Sequence, residues 1–182
     1  MGRNPNEATA MTTWLLRLST HDERALHGLV VRRHGWINCV MRTITHAGDA
    51  YFTIPAAALL LVAGPGVSGI TAAVVLAGSH LVVQLLKGSV ARARPHLPVG
   101  IPSLVHAPDR FSFPSGHAAA SLSIALPLAM TLPLWLGAPL IVLALLVGVS
   151  RCYLGIHYPG DVVVGWLLAA IATLLANSFL LQ

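Results

Sequence analysis

From Tyr51 onward the chain carries seven formally charged residues, and they fall in three short clusters: Lys87, Arg92 and Arg94; Asp109 and Arg110; Arg151 and Asp161. The second and third clusters each bring a histidine, His117 and His157. A cation within or beside apolar segments costs a few kcal/mol unless it faces water, a partner or a ligand. Clusters kept in so apolar a chain therefore point to a site that handles anions. Basic residues with two histidines and one carboxylate form the set that phosphate-ester chemistry at a membrane needs.

Each cluster has a bland reading and a chemical one. Lys87 and Arg94 lie seven residues apart, and Pro95 then turns the chain away from helix. Cations at the end of a span are ordinary snorkelling anchors. Lys87, however, is the only lysine in a chain that otherwise uses arginine for every cation. A compact ammonium beside forked guanidiniums suits a tetrahedral dianion. In Phe113-Pro114-Ser115-Gly116-His117, Ser115 reads as the N-cap of a helix. That helix start also offers free backbone amides to an anion, Gly116 permits close approach, and Ser115 adds a hydroxyl. His117, one turn in, is placed to protonate a leaving oxygen. In the third cluster Arg151 ends a span, His157 sits in the turn and Asp161 lies in the first turn of a helix that Pro159 can begin. Asp161 reads either as a partner of the helix dipole or as the acceptor for His157 Nδ1–H. In the second case Nε2 is left free as a nucleophile.

The elements that must position these residues follow from length and composition. Of 182 residues 55% are hydrophobic and 9% charged, against about 25% charged in soluble domains. This composition predicts a single-domain, all-α integral membrane protein. The net charge of +5 raises nucleic acid as a partner. Yet Arg3, Arg17, Arg24, Arg32, Arg33 and Arg42 precede the apolar segments, where arginines hold anionic headgroups and set topology. No nucleic-acid partner is expected; the bilayer and its anionic lipids are. Residues 1–49 hold ten of the seventeen formal charges and read as an Arg-rich amphipathic segment, with interfacial helices over Thr12–Ser19 and Arg24–Thr45. No cleavable signal is evident there. Residues 50–182 form the membrane domain. Cys39 and Cys152 show no pairing pattern.

Tyr51–Ala63 is apolar but short, whereas Val67–Leu86 and Val162–Leu181 each run twenty residues without a formal charge, the length of a membrane helix. Ala118–Val149 has no charge for 32 residues, about 48 Å as one helix against a hydrocarbon core of about 30 Å. It must be two helices. Pro133, Gly137 and Pro139 mark the break, predicting helices over His117–Leu132 and Ala138–Cys152. The hairpin returns the third cluster to the side of the first two, so all three meet at one membrane surface. That holds for five spans or for six.

The three segments together, Lys87 through Arg94-Pro95, Pro114-Ser115-Gly116-His117, and Ser150-Arg151 through His157 to Asp161, resemble the signature motifs of the type-2 phosphatidic acid phosphatase and vanadium haloperoxidase superfamily. Eleven specified residues match in order and in internal spacing. The composition favours the membrane lipid phosphatase branch over the soluble haloperoxidases. The resemblance implies a bundle of helices in which Lys87, Arg94 and Arg151 bind phosphate with Ser115 and the Gly116 amide. It implies His157 as nucleophile, Asp161 as its orienting carboxylate and His117 as general acid. The reaction implied passes through a phosphohistidine.

No cofactor is called for, because the cations supply the charge stabilisation and the carboxylate cluster of a two-metal site is missing from the sequence. The substrate expected is a phosphate on a lipid: a polyprenyl diphosphate or monophosphate derivative, phosphatidylglycerol phosphate or phosphatidic acid. A binding or transporting protein on the same scaffold is the alternative, and it would not need a nucleophile with its orienting acid. The membrane expected is the bacterial inner membrane. With five spans and the Arg-rich segment inside, the site faces the cytosol; if Arg24–Thr45 crosses as a sixth, the site faces outward.

Overall fold

The computed structural model describes residues 19–64 and 66–180, and the regular structure among them is helical apart from one isolated bridge between Ala93 and Phe111. Helix α1 is described over residues 19–31. It is followed by α2 (Gly35–Thr45), a 3₁₀ turn (His46–Gly48), α3 (Ala50–Ala63), α4 (Val67–Val90), α5 (Gly116–Ala129), α6 (Leu134–Tyr153) and α7 (Pro159–Leu180). Helices α4, α6 and α7 are each long and apolar enough to cross a bilayer. The pair formed by residues 35–48 and α3 passes the same test as one span bent by 47°, and α5 is a shorter apolar helix. Leu81, Leu85, Val142, Leu167 and Leu174 point outward from these helices, an apolar surface suited to lipid contact. The chain is an integral membrane protein.

Helix α5 lies against α4, α6 and α7. Its small residues Ala118, Ala119, Ala120 and Ala125 are buried and let the neighbouring backbones approach closely. Hydroxyl contacts lock the layers: Ser79 and Ser123 meet at 2.8 Å between α4 and α5, and Ser121 Oγ donates to the Ala144 carbonyl at 3.3 Å on α6. At Gly165 of α7 a Cβ would strike the Ser115 carbonyl, so this glycine sets how closely the last helix approaches the start of α5.

Two sequence expectations shift. The segment Arg24–Thr45 is two helices, not one. The Arg33 guanidinium donates to the carbonyls of Tyr153 (2.8 Å) and Pro102 (2.7 Å), anchoring the break, and the His34 amide donates to the Tyr153 hydroxyl at 3.1 Å in place of a helical bond. In the α5–α6 hairpin only Pro133 lies at the break, as N-cap of α6. Gly137 and Pro139 belong to α6, and Gly137 is where its first turns rest on Ala129. The expected helix Thr12–Ser19 lies outside the described residues but for Ser19.

The ends of the helices bring the chemistry together as the hairpin argument requires. Lys87 is in the last turn of α4, Ser115 caps α5, Arg151 is in the last turn of α6 and Asp161 is in the first turn of α7. Residues 91–115 are sewn to this end of the bundle: Leu104 N–H donates to Leu154 O, Ser112 N–H to Arg92 O and Ser115 N–H to Asp161 O. Helices α1 and α2 lie on the same end, with Leu26 and Val30 of α1 buried against Ala118, Cys152, Tyr158 and Val162.

Candidate active site

The centre of the site is His157, which is 1% exposed in the turn between α6 and α7. Its Nε2 lies 2.9 Å from Arg94 Nη1. A guanidinium only donates, so Nε2 carries the lone pair and the ring proton is on Nδ1. That proton faces Asp161, whose Oδ2 is 3.6 Å away, beyond hydrogen-bond length. Among the described residues the buried Nδ1 has no hydrogen-bond partner. Burial, opposed by Asp161 and assisted by Arg94 and Arg151, pushes the His157 imidazole down to about 4. The ring is therefore neutral at pH 7. Between about pH 6.5 and about 4 the unfolded chain binds a proton here and the folded chain does not, so stability at this position falls as the pH drops through that window.

Asp161 is wholly buried, and its two oxygens are held from three sides. Oδ1 accepts from Arg92 Nη1 at 2.7 Å, and Oδ2 accepts the Tyr158 amide at 2.9 Å besides facing His157. Arg92 also pairs with Asp22 of α1 at 2.9 Å and lies over the Tyr158 ring, 4.0 Å from its centroid. Although burial alone lowers the Arg92 guanidinium, Asp161 and Asp22 raise it above its ordinary range. Sequence reasoning grouped Arg92 with Lys87 and Arg94 but gave it no role. The structure makes it the partner of the buried carboxylate. Removing one member of such a pair strands the other charge, so Arg92→Ala is expected to destabilise the protein by on the order of 3 kcal/mol. The check is thermal unfolding in detergent; a melting temperature unchanged from wild type would show that Asp161 does not depend on this pair.

The cations converge above His157. Lys87 is 8% exposed and pairs with Asp109 Oδ2, while Arg94 Nη2 pairs with Asp109 Oδ1 at 2.7 Å. Burial alone would raise the Asp109 carboxyl, but Lys87 and Arg94 together hold it below the usual carboxylate range. Asp109 thus occupies the cations that an incoming anion would use. Arg151 differs from both. It is 3% exposed and donates from Nη1 to Thr45 Oγ1 at 2.7 Å, yet its Nε is buried without a partner and no carboxylate lies within ion-pair distance among the described residues.

The start of α5 completes the cradle. Ser115 is buried as the N-cap and its Oγ accepts the Ala118 amide at 3.5 Å. A Cβ added at Gly116 would meet only Val83, at 3.7 Å, so space beside this backbone is open. The first amides of α5 have no intrahelical partners and carry the positive end of the helix dipole. His117 Nε2 contacts Asp49 Oδ1 at 2.5 Å. Every site residue expected from sequence, His157, His117, Asp161, Lys87, Arg94, Ser115, Gly116 and Arg151, therefore lies at one end of the bundle. Sequence reasoning missed Thr45 and Asp49, and it gave no role to Asp109. Scarcity was the available signal, because from Asp49 onward the chain has three carboxylates and all three sit here.

Comparison with known proteins agrees with this geometry. The sequence profile of the PAP2 superfamily matches residues 68–181. A phosphatidylglycerophosphatase B from Bacillus subtilis is 32% identical, the match covering 87% of this chain and 82% of the relative. An undecaprenyl-diphosphatase from Sulfolobus acidocaldarius is 35% identical, over 74% of this chain and 66% of its own. Among solved structures, the transmembrane PAP2 type phosphatidylglycerolphosphate phosphatase of Bacillus subtilis superposes with a TM-score of 0.74 at 30% identity, covering 90% of this chain and 86% of that one. Aquifex aeolicus LpxE superposes with a TM-score of 0.77 at 25% identity, covering 86% and 94%. Three motifs at one end of a helical membrane bundle, a profile match over more than half the chain and a relative aligned over most of its length lead to one statement: this chain belongs to the PAP2 superfamily.

Proposed function

We propose that this membrane phosphatase hydrolyses a phosphate monoester or diphosphate on a lipid, with His157 as nucleophile, Asp161 as its orienting carboxylate and His117 as general acid. Lys87, Arg94, Arg151, Ser115 and the Gly116 amide bind the phosphate. The observation that carries this reading is Arg151, a buried guanidinium with an orphaned Nε and, among the described residues, no carboxylate within ion-pair distance. An unpaired buried cation is costly, and a bound phosphate relieves that cost.

In the first step His157 Nε2 bonds to phosphorus and the P–O bond to the lipid breaks. Arg94 releases Nε2 as it turns to the phosphate oxygens, Asp161 balances the charge on the imidazole, and His117 gives its proton to the departing oxygen. In the second step a water oxygen bonds to phosphorus, His117 takes the water proton, and the N–P bond breaks to free inorganic phosphate. The cations face charge that grows in the transition state, where fixed donors contribute most.

The lipid class rests on the setting. The site sits at the membrane face of the bundle, and relatives named for phosphatidylglycerophosphate and undecaprenyl diphosphate support a phosphoglycerolipid or a polyprenyl phosphate. Five crossings fit the described helices: the bent α2–α3 pair, then α4, α5, α6 and α7, with α1 amphipathic and in the interface. At the far end, residues 64, 66 and 131–133 include no Lys or Arg, whereas Arg32, Arg33 and Arg110 lie in connections at the site end. By the positive-inside rule the site then faces the cytosol of a bacterial inner membrane. Accessibility of cysteines placed in the loop over residues 96–108 of intact cells tests this, with labelling by an impermeant reagent as the contrary result.

The deciding assay is phosphate release by purified protein in detergent from a panel of phosphatidic acid, phosphatidylglycerol phosphate and polyprenyl phosphates. Activity is expected on at least one, to survive EDTA, and to be inhibited by vanadate, whose trigonal-bipyramidal adduct resembles the transferring phosphoryl group. Binding of these lipids without any turnover would favour the non-catalytic alternative. Activity lost on chelation and restored by Mg²⁺ or Zn²⁺ would overturn the metal-free mechanism.

A further inference from the structure

Asp49 is the residue that the reading above leaves without work. It is the N-cap of α3, and an aspartate there ordinarily turns its carboxylate onto the helix's own first amides. Here it does not: α3 has no side-chain cap bond. The backbone carbonyl of Asp49 accepts Phe52 N–H at 3.0 Å and Thr53 N–H at 2.9 Å, which fixes the residue, while the carboxylate reaches away. Oδ1 meets His117 Nε2 at 2.5 Å and Oδ2 meets His46 Nδ1 at 2.6 Å. The approach is built into the backbone, because a Cβ at Gly48 would run into Val147 and the His117 main chain and Cβ. The 3₁₀ turn therefore seats directly on His117.

The surroundings of His117 make this contact consequential. A general acid must hold its proton until the leaving oxygen needs it. Burial and the fixed cation of Arg151 from α6 work against a charge on His117, and the neutral His157 ring from the α6–α7 turn faces it as well. Asp49 is the facing carboxylate, with His46 bonded behind it. The other two carboxylates beyond residue 49 are committed elsewhere, Asp109 to Lys87 and Arg94, and Asp161 to Arg92. With Nε2 bonded to Asp49, the nitrogen left to meet the leaving oxygen is Nδ1, which has no partner among the described residues.

We propose that Asp49 is a positioning residue for the reaction: its carboxylate holds His117 by Nε2, turns Nδ1 toward the leaving oxygen, and supplies the negative charge that favours the imidazolium over the neutral ring beside Arg151. This rests on the assignment of His117 as general acid. The proton balance closes on His117 itself. Nδ1 gives a proton to the lipid oxygen in the first step and recovers one from water in the second, with the Nε2–H···carboxylate bond kept throughout.

The test uses Asp49→Asn and Asp49→Ser, both of which remove the charge and supply residues that cap a helix about as well as aspartate. Each is assayed on a lipid phosphate and on an activated aryl phosphate, with full pH profiles. The expected result is a fall in kcat of about 10–100-fold on the lipid substrate, by analogy with the loss of the orienting partner of a metal-bound histidine. The loss on the aryl substrate should be smaller, KM should change little, and the alkaline limb of the kcat profile should move to lower pH as the protonated imidazole loses its counter-charge. Asp49→Glu should recover part of the loss. A kcat within twofold of wild type in both variants, or equal losses on the two substrates with an unmoved pH profile, would overturn the proposal and leave Asp49 a structural tie between α3 and α5. Inactive wild-type protein would instead sink the hydrolase reading beneath it, so the two failures are distinct.

Discussion

Replacing His157 with alanine is expected to abolish phosphate release from every lipid phosphate the wild type accepts, while the protein stays folded in detergent. The size of the effect follows from the role. A nucleophile cannot be replaced by its neighbours, and removal of one in a serine hydrolase costs about 10⁶ in kcat. The fold should tolerate the change, because the ring makes one side-chain hydrogen bond, to Arg94, and its buried Nδ1 has none among the described residues. Arg94 retains the Ile156 carbonyl at 2.7 Å and Asp109 when the ring is gone. The phosphate cradle should therefore survive, and vanadate or inorganic phosphate should still bind through Lys87, Arg94 and Arg151. Residual activity within tenfold of wild type would remove His157 as nucleophile.

The second large effect is expected at His117, and its signature lies in the leaving group. General acid catalysis typically contributes about 10²–10⁴-fold, so His117→Ala should lower kcat in that range on a lipid phosphate, whose alkoxide needs a proton to depart. An aryl phosphate leaves without one and should lose far less. The quantity to measure is the ratio of the two losses in the same protein. Equal losses would mean that His117 is not the leaving-group acid, and Pro114–His117 would be a capped helix start that only cradles phosphate. Lys87→Ala should behave differently, raising KM as well as lowering kcat, because a phosphate ligand acts in both ground and transition states.

The convergence of the three clusters was legible because it depends on segment lengths alone. A 32-residue uncharged run cannot be one crossing, so Arg151 had to return to the side of Lys87. Ser115 as the cap of α5 and Pro159 as the start of α7 were legible from local chemistry. What the sequence left open depends on partners far apart in the chain. Arg92 and Arg94 lie two apart in an extended stretch paired with Phe111, where alternate side chains share a face. Only the packed structure divides them, Arg92 to Asp161 and Asp22, Arg94 to His157 and Asp109. The break at residues 32–34 was hidden for the same reason, since Arg33 and His34 spend their donors on Pro102 and Tyr153. Asp49 reads in sequence as an ordinary residue before an apolar helix. Its contact with His117 spans 68 residues and depends on Gly48 letting the backbone close.

The central claim is that the phosphoryl group passes through His157, and trapping it tests the claim most directly. Wild-type protein mixed with a lipid carrying a labelled terminal phosphate and quenched within the first turnover should hold the label on the peptide that contains His157. The bond should be stable to base and labile to acid, as a phosphoramidate is, and His157→Ala should hold none. A burst of released phosphate with no labelled protein, or label that persists in His157→Ala, would contradict the account.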